Sequence, residues 1–256
     1  MGEVPWYRLW FGAEYLELYA HRDRDEARRA VALVDDILRR AGPPKGPVLD
    51  LACGAGRHLE ELLARGYAGL GLDLSPELLA HARDVLPQVP LLRGDMRRIP
   101  VRSDALGVVT SFFTSFGYFD DPEDDAAVLA EVSRVLRFGG WFVLDFLNAH
   151  RVRSHLAPRD EQVVNGVRVV QERRLVEDGQ RVEKRIDVGE PETSGHRRFR
   201  ERVRLYSPED LQAGLIRQGL EPVETFGDYH GGPFTPDAPR LILVCRAGAV
   251  SAPDIP

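Results

Sequence analysis

The stretch Val48-Leu49-Asp50-Leu51-Ala52-Cys53-Gly54-Ala55-Gly56-Arg57-His58 decides how this chain reads. A short apolar run carries an acidic residue at its end and turns through two glycines into a segment of helical character. Glycines at 54 and 56 open backbone conformations closed to other residues and let a ligand lie against bare main chain. The helix that follows offers free N–H groups and the positive end of its dipole to an arriving anion. What the loop lacks narrows the ligand. A dinucleotide fingerprint needs G-x-G-x-x-G, and Leu59 stands where the third glycine would pack helix against strand under a pyrophosphate.

Working outward, Asp50 would repel a pyrophosphate and suits a cationic ligand such as S-adenosylmethionine, which carries a sulfonium and an ammonium. Asp73 ends a second apolar run, Ala68-Gly69-Leu70-Gly71-Leu72-Asp73, where its carboxylate can accept both hydroxyls of an unmodified ribose. A third segment, Gly94-Asp95-Met96, follows Val89-Pro90-Leu91-Leu92, and there an acid plus the next backbone N–H can read an adenine edge. With these residues the chain resembles the class I S-adenosylmethionine-dependent methyltransferases. The likeness continues through Ala105-Leu106-Gly107-Val108-Val109-Thr110-Ser111 and Glu131-Val132-Ser133-Arg134-Val135-Leu136-Arg137-Phe138-Gly139-Gly140-Trp141, covering roughly residues 46 to 147. Phe138 departs from the proline usual in that family, at a turn away from the cofactor. The resemblance implies S-adenosylmethionine as cofactor, held by Asp50, Ala52, Gly54, Gly56, Asp73, Leu74, Asp95, Met96, Ser111 and Phe112. Arg57 is read either as a partner of the cofactor carboxylate or as a surface ion pair.

The fold expected is α/β: a Rossmann-like, doubly wound, mostly parallel seven-stranded sheet with an inserted antiparallel β subdomain. At 256 residues the chain is long enough to bury about 70–75% of its unfolded surface. A net charge of −6 argues against nucleic acid as a partner, since phosphate binding draws on clustered basic surface. Two cysteines provide neither a disulfide framework nor a metal cluster. The sequence holds no 18-residue apolar span, so membrane association is not expected and the chain is read as cytoplasmic, a monomer or homodimer.

Residues 6–40 read as helical up to the Gly42-Pro43-Pro44 stop, and strands then alternate with helices to residue 146, the pattern of a parallel sheet. After Asn148 the chain becomes β-rich with two turn signals, Asn165-Gly166 and Asp178-Gly179, each suited to a two-residue type I′ hairpin. The division expected is 1–149 for an N-terminal helical lid and cofactor core, 150–206 for the inserted sheet, and 207–256 for a closing helix and hairpin. A helix at 208–218 is predicted from Ser207 as cap and Pro208 at its first position.

Aromatic residues gather at Trp6, Tyr7, Trp10, Phe11, Tyr15 and Tyr19, and again at Phe112, Phe113, Phe116, Tyr118 and Phe119. The first group reads either as packing or as a lid, with Tyr15 or Tyr19 bonding the methionine carboxylate. The second follows the fourth strand on the ligand side of such a sheet. Tyr118 and His230 are the candidate catalytic residues, should the acceptor need a base. Cys53 reads as a packing residue, and His58 as facing the helix flank rather than the site. The arginine-rich run 196–204 reads as a solvated edge. The function inferred is in-line methyl transfer to N or O of a small molecule. Alternatives are a protein or tRNA target, or a sensor that binds the cofactor without turnover.

Overall fold

The computed structural model describes residues 4–19, 24–42, 44–191 and 193–248. Its first three helices, α1 (Trp6–Trp10), α2 (Ala13–Leu18) and α3 (Arg24–Ala41), replace the continuous helical stretch expected over 6–40. The break after α1 falls at Gly12, whose extended backbone (φ −139°) leaves the helical region. In α3, Ala27, Ala30, Val31, Val34, Ile37 and Leu38 recur at helical spacing and are buried.

The alternation that follows is β1 (Val48–Leu51), α4 (Arg57–Ala64), β2 (Gly69–Asp73), α5 (Pro76–Val85), β3 (Leu91–Arg93), β4 (Leu106–Ser111), α6 (Pro122–Val135) and β5 (Leu136–Leu147). Helix starts are written locally. Ser75 and Asp121 accept from the backbone N–H groups of Leu78 and Glu123, with Pro76 and Pro122 at the first helical position. β5 begins directly at Leu136, because α6 stops at Val135 and Leu136 already pairs with Leu106.

A helix not foreseen, α7 (Ala149–His155), follows β5. It has no apolar stripe and is fixed by its cap. The Asn148 side chain accepts from the N–H groups of His150 and Arg151 while donating to the carbonyls of Thr235, Pro236 and Ala238. Then come β6 (Arg159–Val164), β7 (Val167–Val176), β8 (Arg181–Val188) and β9 (Arg197–Arg204), followed by α8 (Pro208–Arg217), β10 (Leu220–Phe226) and β11 (Arg240–Ala247). The Asn165-Gly166 turn is the two-residue hairpin expected, both residues having positive φ. The second hairpin is longer. Val176 pairs with Arg181, and Glu177, Asp178 and Gly179 are all left-handed, so four residues close it.

The main sheet has seven strands in the order β10-β11-β5-β4-β1-β2-β3, with β1 to β5 parallel and the last two antiparallel. One apolar core lies between the sheet and α6 and α8, and another between the sheet and α3. β6-β7-β8-β9 form a separate antiparallel sheet. One face of it brings Val169, Val188, Ile186 and Phe199 together, and Trp6, Trp10 and Leu18 pack onto them. The expected α/β class with an antiparallel insertion is what the chain adopts. Among the described residues no helix is long and apolar enough to cross a membrane, and no His/Cys/Asp/Glu group could hold a metal ion.

Candidate cofactor and acceptor site

A cavity of about 870 Å³ opens over the carboxyl ends of the parallel strands, where ligands sit in open α/β sheets. Strand order divides it. Asp73 and Asp95 stand over β2 and β3 on one side of the β1 loop, and Phe113, Thr114 and Arg240 stand over β4 and β11 on the other.

The β1 loop is strained where it meets the cavity. Ala52 has φ +60° and lines the wall beside Gly54 (φ +54°); a non-glycine residue in this region persists only where its surroundings enforce it. Gly54 lines the wall, and a side chain there would reach Leu78 at 3.8 Å, so its φ of +54°, a conformation L side chains rarely adopt, is what favours glycine at this position. Gly56 does not line the cavity. A side chain there would meet Leu86 at 3.0 Å, so this glycine serves the contact of α4 with α5. Cys53 is buried and packs against Gly71, in keeping with its reading as a packing residue, and burial pushes its thiol up.

Asp73 lines the cavity and is only 8% exposed; its two oxygens accept from Gly54 N–H and Ser75 N–H, both at 2.8 Å. Each oxygen keeps a further lone pair. Burial raises its pKa against the pull of those backbone bonds. Asp95 also lines the cavity and is gripped by Arg97, which donates through Nε at 3.0 Å and Nη2 at 2.7 Å. Leu74 and Met96 complete this half, and Phe112 enters the wall from the end of β4.

Asp50 lies elsewhere than expected. It is fully buried beneath the loop, outside the lining, with Thr110 Oγ1 at 3.4 Å and Oδ2 without a hydrogen-bond partner. Burial pushes its pKa up to about 7, helped by Asp73. Ser111 is likewise buried at the end of β4 and not in the wall.

Arg57 forms the ion pair of its second reading, with Glu26 at 3.1 Å, and it also lines the cavity, its guanidinium 4.9 Å from the Phe113 ring centre. His58 corrects its reading. Rather than lying on the helix flank, it is buried in the wall and stacked on Phe112 at 4.3 Å, and desolvation holds it neutral. Tyr118 lines the cavity among Trp6 and Phe11. His230 is exposed on the 227–239 connection and outside the wall, its N–H donating to Asp228, while the neighbouring Tyr229 is the residue of this segment that points inward, onto Asp145.

The N-terminal aromatics close the far side. Tyr15 and Tyr19 line the cavity, and Tyr19 accepts from Lys184 at 3.1 Å. Beyond them the inserted sheet contributes a polar row. Arg173, Lys184 and Glu201 are cross-strand neighbours facing the cavity, and Trp10 donates to Glu201 at 2.6 Å. The run 196–204 is thus an edge strand, but its Arg202 and Arg204 are largely covered and reach Asp120.

Sequence reasoning missed a buried cluster at the β4–β5–β11 end. Asp145, 1% exposed, accepts from Phe113 N–H, Tyr229 Oη and Arg240 Nε at 2.8, 2.6 and 2.7 Å. Its partners come from three distant segments, so no local spacing announces it. The one local signal was an aspartate inside an otherwise apolar strand, Trp141-Phe142-Val143-Leu144-Asp145-Phe146.

The residues present fit S-adenosylmethionine. The left-handed main chain at Ala52 and Gly54 and the acids Asp73 and Asp95 at successive strand ends suit its methionine end and its nucleoside, with the buried, unpartnered Asp50 oxygen adding negative character beneath the loop. Comparisons agree. A methyltransferase domain family matches residues 48–140. The dTDP-3-amino-3,4,6-trideoxy-alpha-D-glucopyranose N,N-dimethyltransferase of Streptomyces venezuelae is 35% identical over 50% of this chain and 53% of its own. The chain thus spans about half the length of the curated relatives it matches. Among solved structures, an S-adenosylmethionine-dependent methyltransferase from Clostridium acetobutylicum aligns with a TM-score of 0.79 at 20% identity, over 92% of this chain and 98% of that one. A SAM-bound amino pentose methyltransferase from Micromonospora echinaspora is 29% identical over 92% and 97%, with a TM-score of 0.67. Residues 48–140 are therefore a class I S-adenosylmethionine-dependent methyltransferase domain, and the chain around them resembles the small-molecule N-methyltransferases of that family.

Proposed function

We propose that this chain transfers a methyl group from S-adenosylmethionine to the nitrogen of a small amine, and that the acceptor is an amino sugar carried on a nucleotide. The observation that carries this reading is the single cavity joining a nucleoside-type half over β2 and β3 to a second half walled by aromatics and the inserted sheet. The acceptor class follows the relatives, which include dTDP-linked 3-amino and 4-amino sugar N,N-dimethyltransferases.

When bound, the cofactor supplies a methyl group activated by a sulfonium. Asp73 is assigned the ribose hydroxyls, Asp95 and the Met96 N–H the adenine edge, and Leu74 and Phe112 its faces. Ala52 and Gly54 offer main-chain groups to the methionine end, whose carboxylate falls to Arg57, Tyr15 or Tyr19. Asp50 and Ser111 support this floor from beneath. On the acceptor side Tyr118 is placed to orient the nucleophile and take part in moving its proton; His230 is left without a role. Most acceleration comes from holding the amine in line with the methyl in a dry site, which is worth about 7–11 kcal/mol when near-attack geometry is reached.

In this reading residues 1–149 hold the cofactor under an aromatic lid, 150–206 wall the acceptor, and 207–256 complete the sheet. The two unpaired cysteines fit a reducing, cytoplasmic compartment, and we infer action there as a monomer or homodimer. The test is transfer of labelled methyl to dTDP-linked 3-amino and 4-amino sugars and to the same sugars without the nucleotide. Label in a nucleotide-linked amine supports the assignment. Label only in protein or tRNA, or tight cofactor binding with no transfer, overturns it.

A further inference from the structure

Asp145 has no role in the reading above, yet its carboxylate is engaged on every side. Besides the bonds to Phe113, Tyr229 and Arg240, its main-chain oxygen accepts from Thr114 N–H at 3.0 Å. Arg240 then donates through Nη2 to Thr114 Oγ1 at 2.9 Å. All these bonds converge on two consecutive left-handed residues, Phe113 (φ +56°) and Thr114 (φ +64°), neither of them glycine. Such a pair persists only where its surroundings over-determine it. The guanidinium groups of Arg57 and Arg240, at 4.9 and 5.6 Å, also face the Phe113 ring.

Position gives the cluster its meaning. Phe113, Thr114 and Arg240 line the cavity over β4 and β11, on the opposite side of the β1 loop from Asp73 and Asp95. With a cationic donor on its oxygen, the Thr114 hydroxyl has its own proton left to donate elsewhere. We propose that Asp145, with Arg240 and Tyr229, is a positioning unit that locks the Phe113–Thr114 turn and presents the Thr114 hydroxyl as a hydrogen-bond donor to the acceptor. It governs turnover and acceptor KM and leaves cofactor affinity alone. The inference rests on the methyl-transfer reading.

The experiment uses the full chain and four variants: Asp145→Asn, Tyr229→Phe, Thr114→Val and Thr114→Ser. Amide hydrogen exchange at Phe113 and Thr114, calorimetric Kd for S-adenosylmethionine, and kcat and KM with dTDP-3-amino-3,6-dideoxyglucose are measured. Asp145→Asn should speed exchange at both amides about tenfold or more, since a locked turn then opens locally. It should lower kcat about thirtyfold while cofactor Kd stays within about threefold, the mark of an interaction used in the transition state rather than in cofactor binding. Thr114→Val should raise acceptor KM about tenfold, with Thr114→Ser restoring it to within about threefold. Should Asp145→Asn fail to fold, Tyr229→Phe removes one bond only and should still speed exchange about threefold. Unchanged exchange in both variants, or a cofactor Kd that rises in step with the loss of kcat, overturns the proposal. Wild-type protein inactive on every amine overturns the methyl-transfer reading instead, and exchange with cofactor Kd still decides whether the turn is locked from Asp145.

Discussion

Along β4 of the main sheet all six residues are buried, whereas along β9 of the inserted sheet none is, and five of its eight residues are arginine. The main sheet is sandwiched between helices and held by apolar burial on both faces. The inserted sheet carries cross-strand ion pairs such as Arg174–Glu183 and Lys184–Glu201, and its apolar patch is completed by α1 and α2. One layer is a scaffold that closes on itself; the other needs the N-terminal segment to be finished. That dependence makes α1, α2 and the inserted sheet a single structural unit.

The largest effect should separate the two layers. Phe142→Ala empties a site 1% exposed in the main core and should cost about 3–5 kcal/mol of global stability in denaturant unfolding. Trp10 is equally buried, but against the inserted sheet. Trp10→Ala should leave the main transition nearly in place and speed hydrogen exchange across residues 6–18 and 159–204, a local opening rather than global unfolding. If Trp10→Ala lowers the main transition as far as Phe142→Ala does, the layers are one cooperative unit and the comparison breaks.

Asp50 shows where the scaffold gives up stability at its ligand edge. Its pKa rises from an unfolded value near 3.8 to about 7, so the folded state disfavours the ionised form. Well below pH 3.8 both states are protonated and nothing is lost. Stability of the cofactor-free protein should therefore fall as pH rises from about 4 through about 7, and stay reduced above that. Asp50→Asn should flatten this decline, gaining roughly 2–4 kcal/mol at pH 8, since one pKa unit is worth about 1.4 kcal/mol. The same variant should weaken S-adenosylmethionine more than S-adenosylhomocysteine, which lacks the sulfonium. A pH-stability profile identical to wild type would remove Asp50 from this account.

The contrast also explains what the sequence disclosed. The parallel sheet was legible because its strands are short, mainly apolar runs that alternate with helices, two of which start at their own side-chain caps, Ser75 and Asp121. Asp73 and Asp95 were legible because strand-end position follows from strand assignment alone. The rest depended on contacts between distant segments. Asp50 could not be told from a lining acid, since the wall begins only two residues on, at Ala52. His58 looked like a flank residue because its partner, Phe112, arrives from another strand. α7 was hidden because its hold on the fold is the Asn148 side chain reaching the 235–238 connection. His230 was a candidate because it follows a strand, β10, whose end opens toward the cavity, and only its exposure on the 227–239 connection sets it outside the wall.

A smaller effect sharpens the nucleoside half. Asp73→Ala should weaken S-adenosylmethionine by about 1.5–3 kcal/mol, the range for hydrogen bonds to a charged group. Because Asp73 also holds Gly54 N–H and Ser75 N–H, calorimetry should be paired with exchange at those two amides. Unchanged affinity in a folded variant would assign Asp73 to loop support alone.

The smallest effect tests how much the inserted sheet gains from its ion pairs. Glu161 on β6 accepts from Arg168 on β7 at 2.7 Å and 3.0 Å, and both side chains are substantially solvated. Exposed pairs of this kind return about 0.2–1 kcal/mol in double-mutant cycles, because water screens them and two long side chains must be ordered. A cycle of Glu161→Gln and Arg168→Gln should fall in that range and shrink in molar salt, where the screening length drops to about 3 Å. A coupling well above 1 kcal/mol that survives high salt would mean that this sheet is held by its charges. The apolar cover supplied by Trp6, Trp10 and Leu18 would then be laid on a self-sufficient sheet rather than be the missing part of it.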